Sequence, residues 1–136
     1  MPWPQWRRQT ESASDEHARR RAAFSEVHEK LPGLKAFFIL SPGGTLVDCV
    51  TDDSKFDVRT FAAEYGTVLR LLLRAFKDSG VGEVQEELLI TTSCLIFVQH
   101  FPNGQFAVSI CSPGEHSGRV RYELKRSLLY SSLSNL

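Results

Sequence analysis

The stretch FDVRTFAAEYGTVLRLLLRAF, residues 56–76, decides the fold of this chain. Thirteen of its 21 residues are apolar, and at about 100° per residue most of them gather in one broad stripe, which predicts a long amphipathic helix. Asp57 is placed to act as the N-cap or as a first-turn anion of this helix, and Gly80 follows the helix as its stop. The stripe predicted to face the core consists of Val58, Phe61, Tyr65, Val68, Leu69, Leu72 and Phe76.

The remaining surface of this helix is of two kinds. The side opposite the stripe is basic and polar, with two apolar residues among the polar ones. Between the two sides, Ala62, Ala63 and Gly66 form a strip with little side-chain bulk. Because glycine costs roughly 1 kcal/mol relative to alanine inside a helix, the close approach of another backbone would explain Gly66.

The composition is that of one ordinary globular domain. The 136 residues include 16 basic and 16 acidic side chains, so the formal net charge is zero. Zero net charge argues against nucleic acid or an anionic membrane surface as the main partner, and it removes one barrier to self-association. No apolar run reaches the roughly 18 residues of a membrane span. Three cysteines without paired spacing favour a reducing compartment, so we expect a cytoplasmic protein.

Short apolar runs separated by turn signals surround the long helix. We expect a flexible tail at residues 1–11, a single domain at 12–130 and a frayed end at 131–136. The domain should begin with a helix that starts at Ser12 or Ser14 and end with a helix that starts near Ser117. The predicted strands lie at 34–40, 45–50, about 84–91, around 95–98 and at 105–111.

This order indicates an α+β fold. It should contain a five-stranded antiparallel sheet with the central crossover helix on one face and the N- and C-terminal helices on the other. Residues 37–40 and 95–98 are apolar at consecutive positions, so both faces of the sheet should be covered. In the last helix, Val120, Leu124 and Leu128 recur at four-residue spacing and should face the core.

Catalytic and metal-binding patterns are missing from the sequence. His17, His28, His100 and His116 are scattered, and none lies at a metal-ligand spacing from a cysteine or a second histidine. The glycine pairs match no phosphate-binding loop, because no Lys-Ser or Lys-Thr follows them. We therefore expect no catalytic residue, no metal and no cofactor, and we predict that the chain is not an enzyme.

Over residues 31–128, the order and lengths of these pieces resemble the Roadblock family, which includes dynein light chains of that type and bacterial MglB-like regulators of Ras-like GTPases. The resemblance begins with LPGL at 31–34 before an apolar strand and with Gly43-Gly44 in the first hairpin. It continues through the long helix and the meander to SGRVRY at 117–122. It implies a Roadblock-like, profilin-like layer architecture.

The resemblance also implies a homodimer, in which the first strand of the meander pairs with its symmetry mate and the two central helices lie side by side. Such pairing satisfies an otherwise open sheet edge, and the strip of small residues is what two closely approaching helices would need. Like charges directly opposite one another cost stability, so the glutamates at 83, 86 and 87 have to avoid their own mates. The implied edge residues are Val84, Glu86, Leu88 and Ile90.

The GTPase-facing surface implied by the resemblance lies on the paired central helices. MglB-like proteins are understood to reshape the switch regions of the GTPase, so no arginine finger is assigned. The implied partner-binding residues are Arg59, Ala63, Gly66, Thr67, Arg70, Leu71 and Arg74.

Three functions follow from these expectations. The leading one is a non-catalytic homodimeric regulator, or co-GTPase-activating protein, that binds a Ras-like small GTPase through the central helix. The alternative is a structural adaptor, such as a motor light chain or a signalling platform, that is indifferent to the nucleotide. A small-ligand sensor is a third possibility, and it requires a pocket with converging polar groups.

Overall fold

A five-stranded sheet lies between two layers of helices in the computed structural model, which describes residues 5–52 and 56–134. This architecture confirms the predicted α+β fold with helices on both faces. The elements are α1 (Gln5–Lys30), β1 (Leu34–Leu40), β2 (Leu46–Thr51), α2 (Val58–Lys77), β3 (Glu86–Ile90), β4 (Leu95–His100), β5 (Phe106–Cys111), α3 (Ser117–Arg126) and α4 (Leu128–Ser134).

The strands follow the order β2-β1-β5-β4-β3, and all neighbours are antiparallel. The central strand β5 is buried along its whole length, as expected for a strand covered on both faces. The crossover helix α2 connects the two edge strands, β2 and β3. It therefore passes over one whole face of the sheet, between the two edge strands.

Each face of the sheet has its own core. On one face, Val58, Ala62 and Leu69 of α2 belong to the same cluster as Phe38 and Val98 of the sheet. On the other face, buried side chains of α1, α3 and α4 pack against alternate strand residues such as those at 37, 97 and 107. This is the arrangement that the consecutive apolar residues predicted.

Both ends of the chain differ from the prediction. The first helix begins at Gln5 rather than at Ser12 or Ser14, so residues 5–11 of the expected tail are helical, and residues 1–4 lie outside the described part. At the other end, residues 131–134 belong to α4 rather than to a frayed end, and residues 135–136 are not described. Helix α4 is held by the burial of Tyr130, whose hydroxyl lies 2.6 Å from Ser109 Oγ.

The last predicted helix is divided in two. Ser127 has an extended backbone (φ −76°, ψ 159°), and its N–H and hydroxyl both donate to the carbonyl of Leu124. This break shifts the rotation of the following residues. Val120 and Leu124 are buried as predicted, whereas Leu128 is 64% exposed and Leu129 is buried instead. The prediction for Leu128 was therefore wrong.

Asp57 caps α2 as predicted. Its carboxylate accepts hydrogen bonds from the Thr60 N–H (3.1 Å) and the Thr60 hydroxyl (2.6 Å). These bonds, with the hydroxyl contributing most, hold the pKa of Asp57 below its ordinary value. A carboxylate whose pKa is lowered by folding stabilises the protein above its unfolded pKa, and that stability is lost as the pH falls through the folded pKa.

We expect Asp57→Ala to lower the melting temperature by a few degrees at pH 7, because the first turn of α2 loses its cap. The difference should shrink as the pH falls below about 4, the usual aspartate pKa, since the carboxylate is then protonated in the unfolded state and, at still lower pH, in the folded state as well. Thermal unfolding at both pH values measures this effect. Asp57→Ser, which keeps a capping oxygen, serves as the control. A melting temperature of Asp57→Ala that lies equally far below that of wild type at pH 7 and pH 3 would contradict the prediction.

Candidate protein interaction surfaces

The rotation of α2 about its axis is set by its contact with the β1–β2 turn. Gly66 is buried, and a Cβ built on it would lie 2.5 Å from the carbonyl oxygen of Gly44. Only glycine permits so close an approach of two backbones. Gly66 is therefore covered by the β1–β2 turn of its own chain, whereas Ala63 of the same strip is exposed.

The same rotation exposes part of the predicted core stripe. Val58 and Leu69 are buried as predicted, but Val68 is 54% exposed and Phe76 is 37% exposed. Ala62 is buried in the core between α2 and the sheet, and Gly66 is buried against the β1–β2 turn. Helix α2 thus buries one small side chain, Ala62, together with Val58 and Leu69, and leaves Val68 and Phe76 partly exposed. The remaining members of the stripe, Phe61, Tyr65 and Leu72, are half-buried.

The exposed surface of α2 has two flanks of different chemistry. One faces the β1–β2 turn, because a Cβ on Gly44 would lie 3.2 Å from Arg70 Cδ. The other faces β3, because Leu72 lines one cavity together with Glu87 and Leu88 of that strand. On a helical projection, the first, which we name the basic flank, consists of Arg59, Ala63, Thr67, Arg70, Arg74 and Lys77. The second, the apolar flank, consists of Glu64, Val68, Leu71, Leu72 and Ala75.

The predicted partner-binding residues are thus divided between different surroundings. Five of the seven lie on the exposed basic flank, together with Lys77, which the sequence analysis did not include. Leu71 is 57% exposed but lies on the apolar flank, and Gly66 is buried. The structure therefore places the predicted arginines on one surface and the exposed leucine on another.

Strand β3 leaves an open edge beside the apolar flank. Thr91 N–H donates to Cys94 O (2.8 Å) and His100 N–H donates to Gln85 O (2.9 Å), so the odd-numbered residues point their backbone groups toward β4. By the alternation of antiparallel ladders, Glu86, Leu88 and Ile90 point theirs away from β4. These are three of the four predicted edge residues. The fourth, Val84, lies before β3 begins, in the α2–β3 loop.

The opposite edge, β2, is closed in several ways. Asp48 of β2 pairs with Ile39 and Leu46 pairs with Leu40, so Val47 between them is left unpaired as a bulge. The outward N–H of Cys49 donates to the Asp48 carboxylate (2.8 Å). That carboxylate is held in turn by His17 and Arg20 of α1, at 2.7 and 2.8 Å. Bulges and inward charges are known means of blocking edge-to-edge pairing, so the sheet offers β3, rather than β2, for extension.

The glutamates of β3 are paired within the chain. Glu86 accepts hydrogen bonds from Arg121 and Lys125 of α3, and these cations, Arg121 foremost, lower the pKa of Glu86. Glu87 lies 2.5 Å from His100 Nε2. The two carboxylates belong to opposite faces of the sheet, because their β4 partners are the adjacent residues 99 and 98. The Glu86 charge is therefore compensated by two cations, Glu87 is hydrogen-bonded to His100, and the two carboxylates are directed apart.

The side chains with potential chemistry occupy structural positions. Three of the four histidines face single carboxylates: His17 with Asp48, His28 with Asp52 and His100 with Glu87. Within residues 5–52 and 56–134, no group of three histidine, cysteine or acidic side chains is placed to hold a metal ion. No helix in these ranges is long and apolar enough to cross a membrane.

A cavity of about 590 Å³ opens at the C-terminal end of α2. Leu73, Phe76 and Phe106 contribute to its mainly apolar lining. Its most enclosed polar side chain, His100, is already engaged by Glu87. The most enclosed polar group of the lining is therefore not free to bind a ligand, which counts against a small-ligand sensor.

Comparisons with known proteins identify the fold. No protein-family profile matches the sequence, and no curated protein does. Among solved structures, Myxococcus xanthus MglB is 15% identical, with 86% of this chain and 93% of that chain covered at a TM-score of 0.72. A Roadblock/LC7 domain from Streptomyces avermitilis is 19% identical, covering 85% and 94% at a TM-score of 0.69. LokiProfilin2, solved with rabbit actin, is 11% identical, with 85% of this chain and 95% of that chain covered at a TM-score of 0.57. The comparisons confirm the fold implied by the sequence resemblance: this chain is folded as a Roadblock domain.

Proposed function

We propose that this protein is a non-catalytic homodimer that binds a Ras-like small GTPase through the exposed surface of α2. The observation that carries the proposal is the juxtaposition of an open β3 edge with an exposed apolar flank on α2. The sequence resemblance to MglB-like regulators, together with the shared fold, supports the choice of partner. Free thiols at Cys49, Cys94 and Cys111 support a reducing compartment such as the cytoplasm.

The dimer that we propose joins two copies of β3 antiparallel about a two-fold axis at Leu88. In this register, Leu88 lies opposite itself and Glu86 opposite Ile90 of the other copy, so all three outward-pointing residues form hydrogen bonds. Glu87 then lies opposite Leu89, and neither glutamate meets its own mate. The exposed side chains at 88, 89 and 90 would be buried. On the α2 face, the two apolar flanks would meet and leave the basic flanks accessible.

The proposed function is tested by GTP turnover. A Ras-like GTPase from the same genome is incubated with and without this protein, and binding is measured with the GTPase loaded with GDP or with a non-hydrolysable GTP analogue. We expect tighter binding to the GTP-analogue form by tenfold or more and a measurable change in the hydrolysis rate. Absence of binding to either form would refute the proposal. Equal binding to both forms, with no change in rate, would favour the structural adaptor.

A further inference from the structure

The charged side chains of this chain are unevenly compensated. In α1, α3 and the sheet, many basic residues are engaged by carboxylates: Arg20 by Asp48, Arg121 and Lys125 by Glu86, and Arg126 by Glu123. Within residues 5–52 and 56–134, none of the four cations of the basic flank forms an ion pair. Those four cations are Arg59, Arg70, Arg74 and Lys77.

Interactions within the helix explain the positions of only some of these four cations. Arg74 and Lys77 lie in the last turn, where a positive charge interacts favourably with the helix dipole. Arg59 lies in the first turn, where the same dipole disfavours a cation, and the nearby Asp57 carboxylate offsets part of this cost. Arg70 lies four residues before Arg74, a spacing at which like charges repel. The positions of Arg59 and Arg70 therefore point to a requirement outside the helix.

The geometry of the row suits an extended contact. Arg59 and Arg74 are fifteen residues apart, or about 22 Å along the helix at 1.5 Å per residue. Between them lie the short side chains of Ala63 and Thr67, both exposed, which leave the helix surface open to a close approach. The adjoining β1–β2 turn, residues 41–45, carries no charged residue. The acidic residue Glu64 lies on the apolar flank.

We propose that the basic flank is a docking surface for an acidic face of a protein partner. This inference rests on the proposed function and states the charge that the partner must present. A protein is favoured over nucleic acid for two reasons. The chain has no net positive charge, which nucleic-acid-binding domains usually have. The two acidic residues that flank the helix, Asp57 and Asp78, would also repel a continuous phosphate backbone.

A direct test uses two polyanions as probes. The full chain is titrated with a twenty-residue poly-glutamate peptide and, separately, with the single-stranded oligonucleotide dT20, and the backbone amides are followed by NMR. We expect poly-glutamate to shift the amides of residues 59–77, with little shift in α1, and this response to disappear at 0.5 M salt. The absence of a shift in residues 59–77 would overturn the inference. Stronger binding of dT20 would overturn it in favour of nucleic acid.

Charge reversal supplies a test with the GTPase itself. Arg59→Glu with Arg74→Glu is expected to weaken binding at least tenfold and to remove most of its salt dependence, chiefly through a slower association rate. The matched control is Arg19→Glu with Arg21→Glu, which makes the same charge change at exposed positions of α1. We expect the control to bind within twofold of wild type.

The two proposals fail in distinguishable ways. If the GTPase binds but the flank variant binds as well as the control, the acidic-face inference is wrong and the proposed function stands. If no GTPase binds while poly-glutamate still shifts residues 59–77, the proposed function is wrong and the basic flank serves a different acidic protein.

Discussion

Gly66→Ala is expected to lower the free energy of unfolding by about 2 kcal/mol, the scale of overpacking in a well-packed core. The sign of this change in the free energy of unfolding tests the contact between Gly66 and the β1–β2 turn. In an exposed helix the same change stabilises by about 1 kcal/mol, because alanine is the better helix former. Here the new methyl carbon would lie 2.5 Å from the Gly44 carbonyl oxygen, so either α2 or the β1–β2 turn has to move. Urea denaturation measures the difference.

The matched control for this prediction is Gly43→Ala, one residue before the turn glycine. A Cβ at position 43 would meet only Ser41 Oγ, at 3.7 Å, and the φ of Gly43 is not positive. The same chemical change is therefore expected to be neutral or slightly stabilising there. A Gly66→Ala variant as stable as wild type would show that the hairpin can retreat, and that the contact does not set the rotation of α2.

Leu88→Lys is expected to convert the proposed dimer into a monomer by weakening association at least 100-fold, or about 3 kcal/mol. In the proposed register the two lysines would lie opposite each other at the two-fold axis, and each would replace an apolar contact with a like-charge pair. Leu88 is 48% exposed in the single chain, so the substitution should leave the fold intact. Sedimentation equilibrium across micromolar concentrations measures the change.

Val47→Lys on β2 is the matched control, because Val47 is 50% exposed on the other edge strand. We expect no effect on assembly, since that edge is already blocked by its bulge and by Asp48. If Val47→Lys dissociated the dimer and Leu88→Lys did not, the interface would lie on β2, and the proposed β3 dimer would be wrong. A wild-type chain that is monomeric at micromolar concentration would remove the basis for the dimer altogether.

The predicted surfaces depend on the rotation of one helix, and this is where sequence reasoning reached its limit. The periodicity of residues 56–76 identified the helix and its cap correctly. It ranked the faces of the helix by side-chain size, however, and therefore placed Val68 in the core and the small residues in a strip beside it. The available signal was the presence of two glycines, Gly44 in a turn and Gly66 in a helix, but a single sequence does not reveal that they touch.

The dimer edge shows the same difference between what the sequence predicts and what only the structure reveals. The sequence located the strand around Leu88, and the alternation of its residues already indicated which would share a side. It could not tell that Glu86 and Glu87 would be engaged by Arg121 and His100, because those partners come from distant segments. For the same reason, the closure of β2 by His17 and Arg20 of α1 was not foreseen.

The sequence by itself determined the order of helices and strands, the coverage of both sheet faces and the capping of the central helix by Asp57. These properties follow from local periodicity and turn chemistry, which act over a few residues. Only the tertiary structure decided which face of α2 is buried, which sheet edge is open and where the last helix breaks. Each of these depends on contacts between residues distant in the chain or on one backbone angle, and neither leaves a periodic trace in the sequence.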